Sequence, residues 1–251
     1  MKEKNTMIPI GRIRELVRYP VKSMAGVAAD SAELGWHGLA GDRRFALRRL
    51  GDSSGFPWLT ASRLPELLLY HPCGLDESTG EPLPTHVRTP TGLEIELRSE
   101  VLQRELSERF GSDLELMKLK HGIFDDAPVS VIAWATVAQI ANDAELPVDP
   151  RRMRANVLIE TDDPAPFCED EWVGGTLVFG EGEPTAAVSV TARDIRCVMI
   201  NLNPDTAQQD AQMMKTVVRL NHNNAGVYGT VARAGTIHTG QRVSLIRYLP
   251  R

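Results

Sequence analysis

The residues of this chain best equipped for chemistry converge on one cysteine and a scattered set of basic side chains. In "TARDIRCVMINLNPDT", Thr191 to Thr206, Cys197 follows Arg196 directly, and an apolar run leads into the polar turn Asn203-Pro204-Asp205. A thiol in that setting can be inert filling in a strand, or a ligand or nucleophile held beside a guanidinium. Elsewhere, Lys22-Ser23 follows "YPV", Arg43-Arg44 follows "GLAGD", and Arg151-Arg152-Met153-Arg154 leads through Asn156 into an apolar run. Taken singly, each basic group reads as a solvated strand end. Taken together they repeat one arrangement, cations at strand or turn boundaries beside Gly or Pro, where the mouth of a barrel collects donors for an anion.

The elements that must position these groups are mostly strands. Loose alternation in "IPIGRIRELV" is stopped by Pro20, and "RRFALRRL", "DLELMKLK", "APVSVIAW", "RANVLIE", "WVGGTLVFG" and "TAAVSVTA" read as further strands. "HVRTPTGLEIELR" predicts a hairpin around Pro90-Thr91-Gly92. "EVLQRELSERF" predicts a helix with Ser99 as N-cap and Gly111 just past its end. A second helix is expected in "TVAQIANDAEL", through Val137, Ile140, Ala141 and Ala144, and a third in "AQQDAQMMKTVVRL". The turn-rich stretch "HPCGLDESTGEPLPTH" reads as an exposed loop, and "GVYGTVARAGTIHTGQRVSLI" closes the sequence as strands with Gly turns. Many short strands and few helices predict a mixed α/β, β-dominated fold, a closed or partly closed β-barrel carrying peripheral helices.

Composition narrows the function. With 251 residues, 42% of them hydrophobic, the chain can bury one large core or two small ones. A net charge of −5 argues against a general nucleic-acid binder. No apolar run approaches the roughly 20 residues that span a bilayer, and the start "MKEKNTMIPIGRI" lacks the apolar core of a signal peptide. Cys73, Cys168 and Cys197 are far apart and odd in number, unlike a secreted disulfide framework. A cytoplasmic protein without a membrane or nucleic-acid partner is expected. There is no Walker loop, no GxGxxG, no HExxH or CxxC and no GxSxG elbow. His222, in "LNHNN", reads as a structural or exposed residue at a helix end and not as a catalytic one.

The ordered motifs resemble the MOSC family, named for the C-terminal domain of molybdenum cofactor sulfurase. The likeness is to its two-part members, among them the mitochondrial amidoxime-reducing component and bacterial relatives. The N-terminal part is carried by "YPVKS", "GLAGDRRFAL" and "LTASRLPEL". The MOSC part is carried by "DDAPVSVIAWATV", "RMRANVLIE" with "FCEDEW", "IRCVMINLNPDT" and "GVYGTVARAGTIHTGQRV". The resemblance implies a small β-rich N-terminal domain over residues 8–120 and a MOSC β-barrel over 121–251.

It also implies a molybdenum cofactor, molybdopterin carrying the metal, with Cys197 as metal ligand and catalytic residue. Lys22, Ser23, Arg43, Arg154, Asn156, Arg196 and Tyr228 are then cofactor-binding, together with Thr136 at a helix start. The residues agree with that reading, because a ligand bearing a phosphate and a dithiolate needs several cationic donors from separate segments. Charge-assisted bonds contribute roughly 1.5–3 kcal/mol each, and such cations would favour a thiolate at Cys197. Relatives that reduce N-hydroxylated compounds often carry Thr-Thr where this chain has Ile200-Asn201, and a second cysteine near Asp194 and Ile195.

The activity implied is a molybdenum-dependent oxidoreductase acting on N-hydroxylated or N-oxygenated small molecules. The alternative is a cofactor- or sulfur-handling module without turnover on an outside substrate. No cysteine follows Cys197 and no Rossmann motif is present. Electrons are therefore expected from a separate flavin or iron–sulfur protein.

Overall fold

A computed structural model describes residues 6–76, 78, 80–182 and 185–247. The N-terminal half forms β1 (Thr6–Arg18), β2 (Val27–Ala29), β3 (Ser31–Gly35), β4 (Gly38–Leu39), β5 (Phe45–Arg49), β6 (His71–Asp76), β7 (Leu83–Arg88), β8 (Glu94–Glu96), helix α1 (Glu100–Phe110) and β9 (Leu114–Lys118). There follow β10 (Val129–Ala133), α2 (Trp134–Asp143), β11 (Val157–Thr161), β12 (Thr176–Phe179), β13 (Ala186–Ile195), α3 (Gln212–Asn221), β14 (Asn224–Arg233), β15 (Gly235–His238) and β16 (Arg242–Arg247).

Seven strands close into a barrel in the order β11-β10-β14-β13-β12-β16-β1, and β1 returns to pair with β11; β2 is added at the side of β1. All pairings are antiparallel except β10 with β11. The first strand therefore completes a barrel made otherwise of C-terminal strands. Its register shifts between Pro9 and Gly11 and again between Ile13 and Glu15, irregularities that let one long strand serve two neighbours. Likewise β3 pairs with β15, so residues 8–120 and 121–251 share hydrogen-bonded sheets.

Period-two alternation explains how the barrel fills. Val129 and Val131 point to the barrel core with Ile13, Leu16, Val157, Ile159, Leu177, Val188, Val227 and Leu245. Ile132 and Leu158 point outward, where Val137 and Ile140 of α2 and Met213 and Val217 of α3 cover them. Both faces of β10 are buried, which is why "VSVIA" is apolar but for Ser130, whose hydroxyl is satisfied by Asp194 (2.9 Å). A second core, built on Phe45, Leu47, Leu67, Tyr70, Val87, Leu102, Leu106 and Leu114, holds β5, β7, β9 and α1 together.

Local signals act where they were read. The Ser99 hydroxyl accepts from Leu102 N (3.3 Å), and Gly111 ends α1 at φ 80°. The hairpin around residues 90–92 is formed by β7 and β8. Two expectations are corrected. The stretch "HPCGLDESTGEPLPTH" is no loop, because its arms are the paired strands β6 and β7; Pro72 and Leu83 are buried, and the turn residues mark only the tip. The third helix starts at Gln212, not at Ala207. Before it, Asn203 Oδ1 accepts from the amides of Asp205 and Thr206, and Ala207 takes φ 58°; this local turn outcompetes helix propagation.

One glycine is fixed by space. Gly38 has φ +99°, and a Cβ there would lie 2.0 Å from the carbonyl oxygen of Pro128, so only glycine lets the chain leading to Asp42 and Arg43 cross so close to the entry of β10. Among the described residues no helix is long and apolar enough to cross a membrane.

Candidate functional site: a cation-rich cavity beneath an exposed thiol

The turn after Pro20, the turn before β5, the 3-10 turn Pro150–Met153, the end of β13 and strand β14 meet around a cavity of about 220 Å³. Its walls include Lys22, Ser23, Arg43, Arg154, Arg196, Cys197 and Tyr228, seven of the nine residues singled out from the sequence. Both halves of the chain contribute. Three of the seven hold a left-handed backbone: Ser23 (φ 69°), Arg43 (φ 46°) and Arg154 (φ 52°). That region costs a non-glycine residue about 1–2 kcal/mol, and such strain collects where side-chain placement matters more than local stability.

Five cations line the cavity, Lys22, Arg43, Arg152, Arg154 and Arg196, against three carboxylates, Asp125, Asp126 and Asp194. With Asp42, which pairs with Arg43 from behind the lining, four carboxylates stand against the five cations, leaving one positive charge in excess inside a chain whose net charge is −5. The cations fall into two groups. Arg43 pairs with Asp42 (2.6 Å) and with Asp125, and also donates to Asn156 Oδ1 (3.2 Å) and to the Arg154 carbonyl (2.9 Å). Burial alone would lower its pKa, but Asp42 and Asp125 hold it well above the ordinary arginine value. Arg196 pairs with Asp194 and donates to the Met153 carbonyl, so it braces the wall as much as it faces the cavity.

Lys22, Arg152 and Arg154 differ, for no carboxylate lies within ion-pair distance of them among the described residues. Lys22 Nζ donates to the Phe124 carbonyl (2.8 Å), and Arg152 donates to the carbonyls of Ile200 (3.3 Å) and Asn201 (3.1 Å). Arg154 donates to the Met24 carbonyl (2.8 Å) and stands 4.3 Å from the centroid of the Tyr19 ring. Burial pulls the Arg154 pKa down to about 10 and lowers that of Lys22. An anion placed among these groups would relieve that desolvation.

The remaining polar groups are set by their surroundings. Asp194 is buried; its Oδ2 accepts from Ser130 Oγ (2.9 Å) and pairs with Arg196, while its Oδ1 has no hydrogen-bond partner. Burial raises the Asp194 carboxyl, partly offset by Arg196. Burial, then the neighbouring Asp194 and Asp125, push the Tyr228 hydroxyl far above its usual range, so it remains a proton-bearing donor. Cys197, in extended backbone at the entry of the 3-10 turn Val198–Asn201, is exposed and disulfide-free.

Two sequence-derived residues do not line the cavity. Asn156 is fully buried behind it, accepting from Arg43 and from Ser130 N (3.1 Å) and donating to the Val17 carbonyl (3.2 Å). It holds Arg43 in place. Thr136 corrects the expectation of a cofactor contact. Its hydroxyl donates its one proton to Glu169 Oε2 (2.7 Å) and accepts from Phe167 N (2.7 Å), a buried network at the start of α2 that leaves it no proton to offer a ligand. Arg152, Asp125, Asp194 and Ser130 were missed. The basic run "RRMR" was the one visible signal for Arg152, whereas the carboxylates stood among too many others to be singled out.

Comparison with known proteins places this geometry. Residues 118–244 match the MOSC domain and residues 10–77 the MOSC N-terminal beta barrel domain. No curated protein matches the chain. The crystal structure of the YuaD protein from Bacillus subtilis superposes with a TM-score of 0.53 at 15% identity, covering 97% of this chain and 99% of that one. The YiiM structures from Geobacillus stearothermophilus and Escherichia coli align with 49% and 52% of this chain, and 55% and 60% of their own. Their identities are 15% and 17%, and their TM-scores 0.35 and 0.36. With the MOSC domain matched over half of its length and the companion N-terminal domain before it, the chain belongs to the MOSC family.

Proposed function

We propose that this protein binds a molybdenum cofactor and reduces N-hydroxylated or N-oxygenated small molecules with electrons from a separate redox protein. The observation that carries the reading is the exposed Cys197 thiol beside a cavity in which Lys22, Arg152 and Arg154 have no carboxylate within ion-pair distance among the described residues.

The donor set fits the group. Molybdopterin brings a phosphate and a dithiolate, and cations without an ion-pair partner, hydrogen-bonded only to carbonyls, suit a buried anion. Lys22, Arg152 and Arg154 would hold the anionic part, Ser23 and Tyr228 would donate to it, and Cys197 would ligate the metal. Among the described residues no three His, Cys, Asp or Glu side chains are grouped to hold a metal by themselves. The cofactor's dithiolate together with Cys197 makes such a cluster unnecessary. When bound, the group supplies a metal centre that changes oxidation state and accepts oxygen.

The chain's own residues do the rest. Arg43, held by Asp42, Asp125 and Asn156, keeps a fixed charge in the wall at any physiological pH. Tyr228 keeps its proton and so remains a donor throughout a cycle. In the overall reaction the N–O bond breaks, an N–H bond forms and the oxygen leaves as water, consuming two electrons and two protons. Three scattered cysteines cannot hold an iron–sulfur cluster, and the chain has no dinucleotide motif, which supports an external electron donor.

The test is turnover by purified, cofactor-loaded protein with benzamidoxime or hydroxylamine. Reduced viologen should support reduction of the substrate, and NADH or NADPH alone should not. Turnover with NADH and no added protein would contradict the electron route. Full cofactor loading without turnover of any N–O compound would favour a cofactor- or sulfur-handling module, a role to which an accessible thiol is equally suited.

A further inference from the structure

Large apolar side chains stand at and beside the mouth of the cavity, and none of the described residues covers them. Ile195 is 68% exposed and Val198 49%, and they flank Arg196-Cys197 on either side. Phe56 is 51% exposed and lines the same cavity, although it comes from the loop between β5 and β6. Lys22 Nζ lies 5.7 Å from the centroid of its ring, which ties Phe56 to the cationic side of the same cavity. The site thus changes character with depth. Its floor is cationic and hydrogen-bonding, and its rim, built by both halves of the chain, is apolar. Scattered surface hydrophobes need no explanation, but here Phe56 and Ile195 line the cavity that holds an accessible thiol, and Val198 follows that thiol in the chain. A small polar substrate would gain nothing from them.

We infer that this rim selects the substrate: Phe56, Ile195 and Val198 receive a flat apolar body, an arene or comparable ring, attached to the N-oxygenated group that is presented to the Cys197 side of the cavity. The inference rests on the reductase reading above and adds to it which N-oxygenated compounds the chain prefers. Stacking on Phe56 and contact with the two branched side chains bury the ring, while the polar N–O end lies toward the donors. Hydroxylamine, with no apolar body, uses only the floor.

The experiment compares benzamidoxime with hydroxylamine in a viologen-driven assay of cofactor-loaded protein, for wild type, Phe56→Ser and Ile195→Ser. These side chains are exposed, so folding should survive, and equal molybdenum content verifies it. The benzamidoxime-over-hydroxylamine selectivity should fall about tenfold in each variant, through KM for benzamidoxime and not through kcat. In parallel, saturation-transfer NMR on the oxidised, loaded protein reads binding without turnover; ring protons of benzamidine should be saturated by wild type and much less by the variants. Unchanged selectivity with unchanged ring saturation would overturn the inference. So would a defect seen only when a protein donor replaces viologen, which would make the rim a docking face. If wild type reduces neither compound, the reductase reading has failed, and the NMR arm alone decides: loss of ring saturation in the variants upholds an arene-binding rim, and equal saturation rejects it.

Discussion

Two buried polar clusters in this protein are balanced in opposite ways. Around the cavity, five cations face three carboxylates, and Lys22, Arg152 and Arg154 are served by carbonyls alone. At the start of α2, Glu169 is a fully buried carboxylate with no ion-pair partner among the described residues; the Thr136 hydroxyl (2.7 Å) and, at longer range, Ala133 N (3.5 Å) donate to it. The second cluster is closed, because each donor has its acceptor inside the fold. The first is open, with donors and charge directed at a space. Burial of a charge is tolerated either by pairing it or by neutralising it, and an excess that is neither paired nor neutralised marks a place for a ligand. That contrast separates Arg154, which lines the cavity, from Thr136, which the family motif suggested and which the structure places at the helix start.

The contrast can be broken from either side. The largest effect is expected at the open cluster. Arg154→Ala should lower the molybdenum and pterin retained by purified protein at least tenfold, since a charge-assisted bond to a buried anion contributes about 1.5–3 kcal/mol. Metal analysis after expression in a cofactor-producing host reads this directly. Retention equal to wild type would mean that the cation excess serves something else.

The closed cluster should show itself in stability. Burial pushes Glu169 from its ordinary value of 4.5 up to about 7. Because the folded state binds this proton more tightly than the unfolded chain, its contribution is full below about pH 4.5 and is lost as pH rises toward 7. The loss is on the order of 3 kcal/mol. Urea denaturation at pH 4.5 and 7.5 should therefore show a steeper decline for wild type than for Glu169→Gln, whose side chain never ionises. Parallel declines would place the proton elsewhere, Asp194 being the other carboxyl raised by burial.

A smaller change tests the frame between the clusters. Gly38→Ala places a methyl against the Pro128 carbonyl at positive φ. It should cost about 2 kcal/mol of unfolding free energy, with cofactor content in the surviving folded protein reduced less than in Arg154→Ala. A thermal melt beside the metal assay separates the two effects.

How much of this was legible in the sequence follows from the range of each signal. The alternation that makes Val131 an inward and Ile132 an outward residue is local, and so are the Ser99 cap and the Gly111 stop, so the barrel strands and α1 could be read directly. The arms of the β6–β7 hairpin were hidden by prolines and turn residues, whose meaning depends on pairing partners far along the chain. Lys22, Arg43, Arg154 and Cys197 were readable through ordered motifs. What those motifs could not show is which cations are already paired. Asp42 and Asp125 neutralise Arg43 across the turn and from a loop about 80 residues away, and Phe56 reaches the mouth from a different segment. Such facts exist only once distant segments meet.

The central claim is that Cys197 is the protein's ligand to a molybdenum centre held in this cavity. Molybdenum X-ray absorption on cofactor-loaded protein tests it most directly, by counting sulfur neighbours of the metal in wild type and in Cys197→Ser. The account predicts that one sulfur neighbour is lost in Cys197→Ser, while Cys73→Ser and Cys168→Ser leave the wild-type spectrum unchanged. An identical sulfur shell in wild type and Cys197→Ser would contradict it.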